Sequence, residues 1–255
     1  IKYFFSTTHT ILGDARRDAI KKAKGDWIGI LDCDDAWYPT KLQDQLDIIQ
    51  EERQKDILLG LVYGRVMGLD KKSNETIEIG HMDYINKPLP EGEILQDLLI
   101  NGNFIVGPSI LFNINAFHRI GGFPKGYLSA TDYYLSCAIS SKYNVRAVNK
   151  YISKYRVHGN NLTRKEKIIT YEEQLKIFNH WKKYLNVSEN KKLQRIQEIN
   201  VYAALMMIKY DKQFLSGFLR IFKHGSFLYA IKYVLEYILK KKMKIYCLWQ
   251  NSSLI

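Results

Sequence analysis

Asp32, Asp34 and Asp35 follow the apolar run Trp27-Ile28-Gly29-Ile30-Leu31, so three carboxylates fall within four positions at the end of a segment that belongs in a sheet. Like charges this close repel one another unless a cation or hydrogen-bond donors sit among them. The placement therefore points to a divalent metal site. Asp32 and Asp34 are two apart and point the same way on an extended chain, and a turn beginning at Asp34 brings Asp35 alongside. Hard oxygen ligands suit Mg²⁺ or Mn²⁺, which are commonly held by one or two carboxylates together with substrate phosphates. A simpler role stands beside this one, in which Asp35 caps the helix begun by Pro39-Thr40-Lys41-Leu42. An EF-hand calcium loop is excluded, because counting from Asp32 places Trp37 where Gly is needed and Gln43 where a bidentate Glu belongs.

Two other groups of residues offer chemistry. Upstream, Gly13 to Gly25 reads as a short amphipathic helix with Ala15, Ala19, Ile20 and Ala23 inward and Gly25 as its stop. Its Arg16 is either a guanidinium fork for an oxyanion or part of a solvated face. Downstream lie Gly121-Gly122-Phe123-Pro124, Ala130-Thr131-Asp132-Tyr133-Tyr134-Leu135 and Tyr155-Arg156-Val157-His158-Gly159-Asn160-Asn161. Asp132 is either a proton acceptor or the N-cap of a helix over Tyr133 to Ser140. His158 is either a metal ligand or a hydrogen-bonded structural residue.

In this order the blocks resemble the inverting family-2 glycosyltransferases. That family's pattern is matched by Gly13, Ala15-Arg16, Ala23-Lys24-Gly25, Asp32-Cys33-Asp34-Asp35, Trp37 and Pro39-Thr40-Lys41-Leu42, then by the Gly-Gly-Phe, Asp132 and Tyr-Arg-x-His blocks. Arg17 stands where Asn is usual, Thr131 where Glu is frequent, and Tyr134 where a further acid is frequent. The resemblance implies a GT-A-type α/β fold, a mixed sheet with flanking helices, and transfer of a sugar from a nucleotide diphosphate sugar, UDP-linked, with inversion. It implies Asp34 as the metal-binding carboxylate, with Asp32 contacting the ribose or sharing the ion and His158 as a third ligand. It also implies Arg16 as a nucleotide contact and Asp132 as the general base. The implied acceptor is a glycan or lipid-linked glycan, as in bacterial surface polysaccharide or lipo-oligosaccharide synthesis. The same resemblance calls for about fifty earlier residues carrying a first strand and helix, on the scale of one strand-helix-strand unit. The expectation is thus an N-terminally incomplete catalytic domain over 1–165, followed by a helical region over 166–255. The competing expectation is a non-catalytic sugar-nucleotide or glycan-binding protein on the same fold.

The remaining sequence sets the elements that must position these residues. Ile1-Lys2-Tyr3-Phe4-Phe5 reads as a strand, Gln43 to Lys55 as a helix, and Leu58 to Gly64 as a buried strand. Arg65 to Ile79 reads as a hairpin turning through Asp70 to Asn74, and Ile85 to Gly92 as a loop. Gly107-Pro108-Ser109 is a turn before the apolar strand Ile110-Leu111-Phe112, and Tyr171, Leu175, Phe178, Trp181 and Leu185 fall at helical spacing. With 255 residues and 46% hydrophobic content, the chain can bury a sizeable core. Cys33, Cys137 and Cys247 show no paired spacing, which argues for a reducing, cytoplasmic setting and against structural zinc.

Between Asn190 and Ile255, twelve basic residues stand against three acidic ones, so most of the formal net charge of +12 is carried there. The apolar residues from Phe214 to Leu239 are interrupted by Lys and Arg, too charged to span a bilayer but suited to an anionic surface on the inner face of a membrane. The alternative is a helical hairpin packed on protein. Basic aromatic segments also occur in nucleic-acid binders, but no recognised RNA- or DNA-binding motif accompanies this one, so no nucleic-acid partner is expected.

Overall fold

A computed structural model describes all residues except 1, 6, 8, 9, 71, 73, 81–83, 85, 86, 159, 160, 162–166, 211, 212 and 225–255. The strands are β1 (Trp27–Gly29), β2 (Ala36–Trp37), β3 (Leu59–Leu69), β4 (Glu75–Ile79), β5 (Leu111–Asn113) and β6 (Asn144–Arg156). The helices are α1 (Leu12–Ile20), α2 (Lys41–Gln54), α3 (Leu95–Asn101), α4 (Ile114–Arg119), α5 (Thr131–Ser140), α6 (Lys167–Trp181), α7 (Glu189–Tyr210) and α8 (Phe214–His224). The chain divides into two compact units, Ile1–Asn186 and Val187–Ile255, so α6 lies within the first.

The first unit is a mixed sheet in the order β1-β5-β3-β6-β2, with β4 paired to β3. Its centre is the parallel pair β3 and β6; the other pairings are antiparallel. Parallel strands need both faces covered, and the composition of β3 meets that need: Leu61, Val62, Tyr63 and Val66 are buried. Val62, Val148 and Ile152 pack with Ile48 and Ile49 of α2. Gly60 lies so close to α5 that a Cβ there would meet Ile139 at 2.5 Å. The sheet and its flanking helices have the GT-A-type arrangement anticipated from the sequence.

The hairpin over β3 and β4 turns at Asp70, whose carboxylate accepts the backbone N–H groups of Lys72 and Asn74. The strand expected over residues 1–5 does not form. Residues 2–5 have no ladder partner among the described residues, and Tyr3, Phe4 and Phe5 are exposed. A strand needs that ladder to satisfy its backbone, whatever its apolar content. The expected inward face of α1 is also corrected: Ala15 and Ala19 are exposed, while Gly13 and Ile20 are buried, with Leu12, Arg16 and Arg17 partly covered. Gly13 allows this packing, because a Cβ there would come within 2.7 Å of the Tyr127 carbonyl and 3.2 Å of the Thr131 methyl. The close approach turns Arg16 toward the sheet.

In the second unit α8 returns on α7, with Ala204, Ile221 and Ile208 packed together and Gly217 lying against Ile208. Among the described residues no helix is long and apolar enough to cross a membrane. Lys232, Lys240, Lys241, Lys242 and Lys244, which carry much of the expected membrane attraction, lie outside the described residues.

Candidate active site

The acidic turn sits where β1 leaves the sheet. Asp35 N–H donates to the Asp32 carbonyl at 3.1 Å, closing a turn that returns the chain to β2. Each carboxylate meets a different partner. Arg16 Nη2 donates to both oxygens of Asp32 at 2.8 and 2.9 Å, and its Nη1 donates to Thr131 Oγ1 at 2.8 Å. His158 Nε2 lies 2.8 Å from Asp34 Oδ2. Asp35 accepts the backbone N–H of Arg156 at 2.9 Å, and burial pushes it up to about 6 against that hydrogen bond. Asp35 therefore ties the turn to the end of β6; the cap position of α2 is Thr40.

β6 delivers the next components. The Arg156 guanidinium donates to the carbonyls of Asp34 and Asp70 at 3.0 and 3.2 Å, gripping the backbone of the acidic turn. Asn161 donates to the Arg156 carbonyl at 2.9 Å and accepts His158 N–H at 2.6 Å. This side-chain bracket fixes the bend that aims His158 at Asp34. Asn161 was visible only as part of the last motif, with nothing in its type to mark it as the residue that sets the imidazole.

Asp132 lies in the first turn of α5, and the N-cap position is Ala130, which offers no side-chain hydrogen bond. Asp132 Oδ1 accepts its neighbour Tyr133 N–H at 2.8 Å, while Oδ2 has a long contact of 3.4 Å from Asn103 Nδ2. Burial raises its pKa above the usual carboxylate range, opposed by the Arg16 charge and the Tyr133 N–H. A carboxylate held this way is more basic than an exposed one.

Across from it runs the short 3-10 turn Gly107–Ser109. A Cβ on Gly107 would stand 3.9 Å from Asp132 Oδ2. The turn is pinned from behind, with Trp37 Nε1 donating to the Pro108 carbonyl and Gln45 Nε2 to the Ser109 carbonyl, each at 2.9 Å. Gln45 in turn accepts Lys41 Nζ at 2.6 Å, and that ammonium lies 4.4 Å from the Trp37 ring centre. Lys41 is 1% exposed, and desolvation pushes its pKa down to about 7.

These pieces face one cleft of about 580 Å³, lined by Arg16, Asp32, Asp34, Gly107, Pro108 and Asp132 among others. The structure thus brings together Arg16, Asp32, Asp34 and Asp132, with His158 joined through Asp34. Among the described residues no group of three or more His, Cys, Asp or Glu is arranged as a ready-made metal cluster. Asp34 and His158 form a pair: a hard oxygen and an imidazole nitrogen from positions 124 apart in sequence.

A family model described as glycosyl transferase family 2 matches residues 1–121, which include the acidic turn and the turn at Gly107. Those residues, just under half of the chain, carry that family's pattern. Chondroitin synthase of Escherichia coli is 27% identical over 188 residues, covering 74% of this chain and 25% of that protein. A glycosyltransferase of Methanocaldococcus jannaschii is 26% identical over 176 residues, 67% of this chain and 56% of its own length. The chain therefore spans between a quarter and somewhat over half of these curated relatives. Among solved structures, S. aureus TarS 1–349 superposes with a TM-score of 0.54 at 12% identity, over 83% of this chain and 58% of that one, a likeness of fold. The cleft lies where the two halves of the sequence pattern meet.

Proposed function

We propose that this family-2 glycosyltransferase moves a sugar from a UDP-linked donor to a glycan or lipid-linked acceptor with inversion. The observation that carries the reading is the meeting of the acidic turn and Asp132 on the walls of one cleft. Asp34 and His158 would hold the Mg²⁺ or Mn²⁺, a donor set that fits a hard divalent ion retaining sites for diphosphate oxygens. When bound, the ion supplies charge stabilisation for the diphosphate leaving group. Asp32, with both oxygens engaged by Arg16, supports the donor from the same wall rather than serving as a free third ligand. Arg16 orients Asp32 and Thr131 and contributes positive charge beside the donor site. Asp132 accepts the proton of the acceptor hydroxyl as that oxygen attacks the anomeric carbon from the face opposite the diphosphate. Thr131, where relatives often carry Glu, receives an Arg16 hydrogen bond, and no observation favours a non-catalytic role for the site.

The experiment is a panel of UDP-sugars with Mn²⁺, reading UDP release and the mass and anomeric configuration of the product. Metal-dependent transfer giving the inverted anomer is expected; retention of configuration, or donor binding without turnover in the full chain, contradicts the reading.

The second unit supports peripheral attachment to the inner face of a membrane. α8 exposes Leu215, Leu219 and Phe222, one side of the helix, beside Lys223 and the basic sequence that follows. Co-sedimentation with vesicles containing phosphatidylserine should fall on adding salt and on changing Leu219 and Phe222 to Gln. Binding that ignores lipid charge contradicts this placement.

A further inference from the structure

Glu173, near the middle of α6, is 2% exposed, and its carboxylate is occupied by backbone alone among the described contacts. Oε1 accepts Leu128 N–H at 2.6 Å; Oε2 accepts Ser129 N–H at 3.0 Å and Ala130 N–H at 2.7 Å. One turn earlier on the same helix, Thr170 Oγ1 donates to Ser129 Oγ at 2.7 Å. Three successive amides thus close around one side chain more than forty positions away. The next two residues are Thr131, which receives Arg16, and Asp132. Helix α5 starts without a side-chain cap of its own, so Glu173 supplies from outside the acceptors that its approach segment lacks.

From this geometry we infer that Glu173 is a positioning residue for transfer: it locks residues 128–130 so that Asp132 projects into the cleft at a fixed place opposite the Gly107 turn. The inference rests on the reading of Asp132 as the base. Its physical basis is the steep dependence of proton transfer on placement, where a displacement of about 1 Å costs roughly 100-fold in rate. Gln at this position keeps the size but only one acceptor oxygen, and it turns an NH₂ group toward backbone N–H groups that need an acceptor. The donor-binding wall, built from Asp32, Asp34 and His158, makes none of the hydrogen bonds to Glu173 and should be left in place.

The test uses the full chain with Mn²⁺ and the UDP-sugar that gives turnover, comparing wild type, Glu173→Gln, Asp132→Asn and the double variant. Glu173→Gln is expected to lower kcat by about 10- to 100-fold with donor KM within about 2-fold, and to lower it no further in the Asp132→Asn background. A folded Glu173→Gln protein with wild-type kcat overturns the inference, as does an equal decrement with and without Asp132. If Glu173→Gln does not fold, Thr170→Val takes its place. It removes the hydroxyl contact to Ser129 and should lower kcat by about 3-fold at constant KM; unchanged kcat then overturns the inference. Near wild-type transfer by Asp132→Asn alone would instead remove the underlying assignment of the base, whatever Glu173 does.

Discussion

The two walls of the cleft hold their carboxylates with different partners. In the acidic turn every carboxylate meets a nitrogen partner: Asp32 the Arg16 fork, Asp34 the His158 imidazole, Asp35 the Arg156 backbone. Asp32 and Asp34 keep 42% and 36% of their side-chain surface exposed, so that wall can face a ligand. Asp132 is partly buried at the cleft wall, with one short backbone hydrogen bond and one long amide contact, and burial raises its proton affinity. On the proposed reading, one wall holds charge and the other takes up a proton. A reaction that stabilises a departing diphosphate while deprotonating an incoming hydroxyl needs both.

The sharpest way to break this division is Asp132→Asn, which preserves shape and removes the proposed base. Transfer should fall by about 10²- to 10⁴-fold while donor affinity stays within about 2-fold. Kinetics at saturating donor, with UDP binding measured alongside, separate the two quantities. Next in size, Asp34→Ala and His158→Ala should each weaken Mn²⁺-dependent UDP binding by about 10- to 100-fold, by analogy with the loss of groups that tune a metal site. Isothermal titration with and without Mn²⁺ shows whether the loss is confined to the metal-dependent part.

A pH profile sharpens the contrast further. A general base works only when deprotonated, so kcat/KM should fall as pH drops through the raised pKa of Asp132. That acid limb should lie above the ordinary carboxylate range and be missing from whatever residual activity Asp132→Asn retains. An acid limb at the position of an exposed Asp would mean that burial does not tune this group.

The smallest effect concerns the scaffold behind the Gly107 turn. Lys41 is pushed down to about 7 in the fold, while an unfolded lysine keeps its proton to much higher pH. Between these values the unfolded chain binds more protons, so stability should rise with pH, by about 1 to 2 kcal/mol from pH 7 to 8.5. Lys41→Met should flatten that slope in chemical denaturation at the two pH values, since Met fills the space without a charge to desolvate. An unchanged slope would remove the buried amine as its source.

How much of this was legible in sequence also differs between the walls. The acidic turn announces itself, because three carboxylates ending an apolar run leave few structural uses. Asp132 and His158 were found through ordered blocks, and their partners had no local signal. Glu173 lies in Tyr171-Glu172-Glu173-Gln174, where nothing in the sequence separates it from Glu172; only the fold brings it to Leu128. With Ala15 and Ala19 expected inward, the sequence leaves Arg16 as either an oxyanion fork or part of a solvated face; small residues tolerate exposure, and the close approach at Gly13 marks the covered side of α1. The thirteen-residue β6 escaped notice because its alternation is interrupted by the exposed Asn149-Lys150-Tyr151 stretch, where pairing with β3 shifts register. The cap at Asn113, which accepts the N–H groups of Asn115 and Ala116, is a signal for α4 that the residue type itself carries.

The division of labour across the cleft is tested most directly by the ratio of turnover to Mn²⁺-dependent UDP binding, measured side by side for Asp132→Asn and Asp34→Ala. The account predicts a crossed result: Asp132→Asn binds like the wild type and turns over at least about 100-fold more slowly, whereas Asp34→Ala loses binding first and recovers part of its rate at high donor and metal. If both variants lose binding and turnover in the same proportion, the walls do not have separate tasks and the account is wrong.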